Sequence, residues 1–244
     1  MLRRYLIGLL VVVSLIAAQS SDSLIDNAIE LFGTRHLNSG NLAVSAEILS
    51  NVIEQEPENV RALYELSRVY YLLGDEANTK KDKLALYETG KKHAKKAIEI
   101  DGNSKWAHFW YVVNVGRKGQ TKGVLHSLAL VPEIKKELDK VLKLDPEHTG
   151  ALDVKAMLYY ELPWLLGGNL NKSLEALNKS IEIDSNYSLL YVDMAKVWIK
   201  KKDYANARWY LKRLLNIQEP TYMADFVLDD KPEALELLEE IKDR

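Results

Sequence analysis

The stretch KWAHFWYVVNVGRKGQTKGVLHSLALVPEIKKELDKVLKLDPEHTGALDVKAMLYY, residues 105–160, decides how the whole chain reads. It opens on an aromatic helix, passes through a glycine-rich basic turn and ends a second helix on the phrase VLKLDP. Variants of that phrase recur on both sides: VIEQEP at 52–57, AIEIDG at 97–102, SIEIDS at 180–185 and LLNIQEP at 214–220, the last with its proline displaced by one. The matching positions Glu56, Asp101, Asp145, Asp184 and Gln218 lie 45, 44, 39 and 34 residues apart. A proline after the acidic residue stops a helix, because it cannot continue the hydrogen-bond ladder. Pro57, Pro146 and the displaced Pro220 do this, with Gly102 and Ser185 in the other two phrases, and five such endings mark five successive helical hairpins.

The shortest interval, 34 residues, is the period of the tetratricopeptide repeat (TPR); the others equal it plus 11, 10 and 5, as insertions inside intact units would give. In the last unit Tyr191, Met194, Ala195 and Trp198 share one face of a first helix, and Ala207, Leu211 and Leu214 one face of a second. The first unit aligns in the same way, with Ile29, Phe32 and Gly33, a turn at Gly40, then Ser45, Leu49 and Val52. A small residue at each seam (Gly33, Ser67, Ala156, Ala195) lets two helices approach, and large neighbours at i+3 and i+4 fill the gap. The expected fold is therefore all-α: a right-handed TPR-like α-solenoid of about five helix pairs plus a C-terminal capping helix. Its units span 26–59, 60–104, 105–148, 149–187 and 188–221, and a loop over Pro220–Asp230 leads to the cap at 231–244. The insertions prolong the second helix of the second unit from about Lys80, with Ala94, Ala97 and Ile98 turned inward and the lysines solvated. In the third unit they fill a turn from Gly116 to Gly123. In the fourth they form LPWLLGGN, where Pro163 ends one helix and Gly167–Gly168 turns the chain.

Composition bounds the class. Hydrophobic residues at 47% and charged residues at 28% exclude bulk disorder. Arg3 and Arg4 precede an apolar run, Tyr5–Ala18, broken only by Ser14, and small residues follow at Ala17, Ala18 and Ser20. Fourteen helical residues reach about 21 Å, short of a ~30 Å hydrocarbon layer. Residues 1–20 are expected to be a cleaved signal peptide of an exported, periplasmic protein; an uncleaved inner-membrane anchor at 5–18 is the alternative. The chain has no cysteine, which removes disulfides, thiol chemistry and lipid attachment. Without Arg3 and Arg4, 31 basic residues face 35 acidic ones, a net charge of −4 that argues against nucleic-acid binding.

Reaction chemistry is sparse. None of His36, His93, His108, His126 and His148 stands three or four residues from another, so no helical metal pair forms. No GxSxG elbow occurs, and Gly116 is followed five residues later by Thr121 rather than by the Gly-Lys-Ser/Thr of a phosphate loop. No enzyme activity, cofactor or metal is expected. Binding is better supported. Trp106, Trp110 and Asn114 follow each other at i, i+4 and i+8, and first helices of a repeat array line its concave face. With Tyr111, Arg117 and Gln120 they could stack an apolar body and hold a carboxylate or peptide carbonyl. Trp164, inside the fourth insertion, would cap the groove or plug the core. Interhelical packing is the favoured reading of the same stripe; on the groove reading Asn114 and Arg117 are the accessible members. The partner is then another protein or a small organic ligand.

Across residues 105–168 the pattern is Lys105–Trp106, the Gly119–Gly123 insertion, Leu144–Pro146 and the Leu162–Gly168 turn. It resembles the TPR-like periplasmic T component of TRAP-type transporters and is similar to the regulator of microtubule dynamics family. The likeness extends over roughly Asp26–Arg244. It implies a helical solenoid curled around a concave cavity or pore. For transporter-associated members it also implies docking of a solute-binding protein and passage of a ligand.

Overall fold

The computed structural model describes residues 20–244, so the export signal or anchor read from residues 1–20 lies, save for Ser20, outside the described residues. Ten helices form five antiparallel pairs: α1 (Ser21–Gly33) with α2 (Asn41–Gln55), α3 (Val60–Glu76) with α4 (Lys80–Ile100), α5 (Lys105–Lys122) with α6 (Val124–Leu144), α7 (Thr149–Glu161) with α8 (Leu170–Ile183), and α9 (Leu189–Lys200) with α10 (Tyr204–Leu215). A cap, α11 (Lys231–Glu240), packs on α10. First helices touch across repeats, α1 with α3, α3 with α5 and α7 with α9. Among the described residues no pair of second helices packs as closely. The array is a TPR-like α-solenoid with first helices on its inner side.

Local chemistry explains the punctuation. Asn59, Ser104, Asn169 and Asp203 each accept a backbone N–H of the following helix, satisfying donors that the first turn leaves orphaned. The recurrent acidic residue has its own local role. Asp101, Asp145 and Asp184 each accept the N–H two residues on, from Asn103 (2.9 Å), Glu147 (3.0 Å) and Asn186 (3.0 Å). Such side-chain turns reverse the chain into the next first helix. Gln218 does not repeat the turn: its amide donates back to the Asn216 carbonyl. There the chain leaves the repeat path.

The seams hold small residues as expected at Ser67, Ala156 and Ala195, all without solvent access. Gly33 is a correction. It is exposed, and among the described residues no neighbouring helix comes within 4 Å of where a Cβ would stand; buried Ala28, whose carbonyl accepts the Ser45 hydroxyl at 2.7 Å, makes that seam. The turn expected from Gly116 to Gly123 is a second correction. Helix α5 runs on through Gly116 and Gly119 to Lys122, and only Gly123, at φ +118°, turns the chain. The insertion therefore lengthens both helices of the third pair. In the fourth pair Pro163 follows the end of α7, as read, and a 3-10 turn spans Trp164–Leu166.

Apolar residues of facing helices close each seam. Leu42, Leu49, Val52, Leu66 and Val69 pack around Phe32 in the first two pairs, and Val112, Leu138 and Val141 around Phe109 in the third. At the C-terminal end Ala234 and Ile241 cover Ala207, Leu211 and Leu214, so the last repeat presents no bare apolar face there. No helix among the described residues is long and apolar enough to cross a membrane.

Candidate functional site

The seven residues singled out by sequence do not form one site. Trp110 sits half-buried on the inner side, 6.0 Å from the Tyr71 ring of α3. Trp106 faces the other way along the stack, 4.6 Å from His148, whose Nδ1 accepts the Ala151 N–H and caps α7. Burial lowers the His148 pKa to about 4, which keeps that cap neutral. The Tyr111 hydroxyl donates to Glu133 of α6 at 2.5 Å, so it binds the second-helix layer. Arg117 is exposed and ion-paired with Asp75, with Gln120 3.5 Å from its guanidinium.

Asn114, expected to be accessible, is fully buried. Its amide donates to the Ser67 carbonyl and hydroxyl (both 3.1 Å) and to the Trp110 carbonyl (3.0 Å), and it fills the space left by Gly90 of α4. It belongs to helix packing because α5 is enclosed by α3, α4 and α6. Trp164 does not plug the core: it is 80% exposed at the turn between α7 and α8.

What lines the inner wall is a layer centred on Arg68 of α3. Its guanidinium lies 3.9 Å from the Phe32 ring of α1, 5.5 Å from the Trp110 ring of α5 and 5.8 Å from the Tyr222 ring. Stacking of a guanidinium on several rings is a recognised arrangement for holding planar and charged groups. Tyr71 extends the layer; burial pushes its hydroxyl well above the ordinary range, so it stays a neutral donor. Arg35, buried at the end of α1, pairs with Asp225 and lies 3.7 Å from Asp229.

Three of these groups, Tyr222, Asp225 and Asp229, come from the segment Pro220–Asp230, which the sequence assigned to a connecting loop. The segment holds a short helix, Met223–Asp225, and a π turn, Phe226–Asp230, that runs into the cap. It is tied at one end to the last two pairs. The Thr221 N–H donates to the Asn186 carbonyl (3.1 Å), its hydroxyl donates to the Asp184 carboxylate (2.8 Å), and the Tyr222 ring meets Tyr187 at 5.0 Å.

Below this layer the wall turns acidic. Asp153 and Asp193 are buried side by side; burial raises both, and the Asp193 charge raises Asp153 further. Lys196 answers them, 3.1 Å from Asp193 and 2.8 Å from Glu233 of the cap. Asp230 accepts the Ser188 hydroxyl at 2.5 Å, and burial pushes it up to about 7. No group of His, Asp or Glu among the described residues is arranged to hold a metal ion. The inner wall thus presents aromatic faces and fixed charges of both signs, suited to gripping a polypeptide.

The residues that sequence reasoning missed carried a signal of their own. Arg61, Glu65, Arg68, Tyr71 and Asp75 recur every three or four positions on α3, a polar stripe where a buried helix would be apolar.

A family model described as regulator of microtubule dynamics protein 1-3 matches residues 32–166. Regulator of microtubule dynamics protein 1 of Bos taurus is 23% identical over 177 residues, covering 65% of this chain and 56% of its own length. The same protein of Rattus norvegicus is 26% identical over 145 residues, covering 53% and 46%. The chain spans about half the length of the curated relatives it matches. Among solved structures, a thermophilic TPR protein of Thermus thermophilus superposes with a TM-score of 0.65 at 12% identity, over 88% of this chain and 100% of that one. A tetratricopeptide repeat protein of Parabacteroides merdae gives 0.55 at 14% identity, over 93% and 79%. Both share the fold.

Proposed function

The chain belongs to the regulator of microtubule dynamics protein 1-3 family, and we propose that it is a non-enzymatic scaffold that holds a protein partner along the inner wall of its solenoid. The observation that carries this reading is the Arg68 layer. One guanidinium is inserted among rings from α1 and α5, beside Tyr71 and Arg35, on the side where first helices face one another. Such a row offers stacking faces and charge-assisted hydrogen bonds at intervals along an extended chain.

Two finer forms belong to the same proposal. Export through residues 1–20 with docking of a solute-binding protein follows the likeness to transporter-associated proteins. A role in microtubule dynamics follows the name of the curated relatives. Crosslinking in the native envelope, followed by identification of the captured protein, separates them. Trp110→Ala should weaken capture of that partner by about 2 kcal/mol or more, as central interface tryptophans do. Equal capture by a folded Trp110→Ala chain sinks the inner-wall reading. A small molecule found by native mass spectrometry, with no protein captured, replaces it with a carrier.

A further inference from the structure

We infer that residues Glu219–Asp230 are a built-in occupant of a peptide site on the inner wall, and that the site takes a partner segment of like chemistry, aromatic, two residues, aspartate, aromatic. This rests on the scaffold reading and names the partner's chemistry.

The segment does not continue the repeats: the side-chain turn that Asp101, Asp145 and Asp184 make before the next first helix is absent at Gln218. It lies on the wall as a single layer. Its Ala224 and Asp230 are buried, while its Met223, Val227 and Leu228 face solvent. Its hold on the first two pairs is made by side chains: Asp225 and Asp229 on Arg35, and Tyr222 on Arg68. Segments with so little apolar burial open at lower free energy than the repeats beneath them.

Lifting the segment uncovers a site with a defined demand. Arg35 is only 5% exposed and, apart from the Phe32 carbonyl at 3.4 Å, its hydrogen-bond and ion-pair partners among the described residues are Asp225 and Asp229. A near-buried guanidinium without its carboxylate is costly, so the vacated site selects an acidic side chain. Beside it the Arg68 guanidinium stands against the Phe32, Trp110 and Tyr222 rings, and the last of these leaves with the segment. Arg68 Nε, buried and without a hydrogen-bond partner among the described residues, is a donor for an incoming carbonyl. The preference for an aspartate three residues after an aromatic follows from the spacing of Tyr222, the residue before the short helix, and Asp225, its last residue.

A labelled synthetic peptide EPTYMADFVLDD, residues 219–230, tests the idea by fluorescence anisotropy against the full chain. A segment tethered in cis competes at an effective concentration near millimolar. The peptide should therefore bind a loosened Tyr222→Ser/Asp225→Ser chain at least ~10-fold more tightly than the unchanged chain. Adding Arg35→Ala to the loosened chain, or placing Asp225→Asn in the peptide, should each weaken binding ~10-fold, as loss of a charge-assisted hydrogen bond does. No binding to a loosened chain that keeps its helical circular dichroism overturns the inference, and so does binding indifferent to Arg35. Should the loosened chain not fold, excess peptide added to the unchanged chain should speed amide exchange in 219–230 while α10 stays slow. Unaltered exchange there also overturns it. Partner capture that depends on Trp110 while the peptide fails removes this inference and leaves the scaffold standing.

Discussion

Helix α5 and the segment Pro220–Asp230 exchange the roles their sequences suggest. The helix carries the densest aromatic and polar pattern in the chain, yet it is enclosed by α3, α4 and α6, and its central amide, Asn114, serves the packing. The segment has no periodicity, yet it brings Tyr222, Asp225 and Asp229 onto the inner wall. A helix with neighbours on three sides spends its polar groups on those neighbours. A stretch outside the repeat has side chains free to meet the wall.

The contrast breaks first at Gly90. A methyl group there would stand 2.7 Å from Asn114 Cγ, and that amide is held by three hydrogen bonds. Gly90→Ala should cost about 3 kcal/mol in urea unfolding, the upper range for overpacking. A cost near zero would mean that Asn114 swings free and that α5 is not confined as described.

Asp230 sharpens the other side. Its pKa, ordinarily 3.8, is pushed up to about 7 by burial, with Asp225, Asp229 and Asp193 adding to the rise and Ser188 opposing it. Between pH ~4 and ~7 the folded chain keeps a proton that the unfolded chain has released. This group's contribution to stability therefore falls as pH rises through that window and is level above it. Asp230→Asn should stabilise the fold on the order of 1–2 kcal/mol at pH 8 and hardly at all near pH 4. An equal effect at both pH values would show that the segment's end is solvated. The smallest effect belongs to Trp164→Ser, within about 0.5 kcal/mol in the same unfolding measurement, because an exposed side chain leaves no cavity. A cost above ~1.5 kcal/mol would return that tryptophan to the core.

The helix pairs were legible because their causes are local. Asp101, Asp145 and Asp184 each make a turn with a residue two positions on, and Ala156, Ala195 and Ser67 fit seams set by helical spacing. Gly33 misled because a small residue at a helix end resembles one at a seam. Gly116 and Gly119 misled because glycine tolerates a helix when its neighbours hold it there. Facing was not legible: Trp106, Trp110 and Asn114 share a stripe, but only the neighbouring helices decide which part meets the wall. The pairing of Arg35 with Asp225 spans 190 positions and leaves no periodic trace.

That long-range pairing also changes how the molecule comes apart. An open row of repeats frays from its ends, since each terminal hairpin leans on a single neighbour. Here the first hairpin is laced to the far end of the chain through Arg35, and the far end is laced back through Thr221 and Ser188. While the segment is seated, fraying at either extremity has to break a contact with the other, so the row behaves like a belt with its buckle fastened, and the segment is the buckle that must open first.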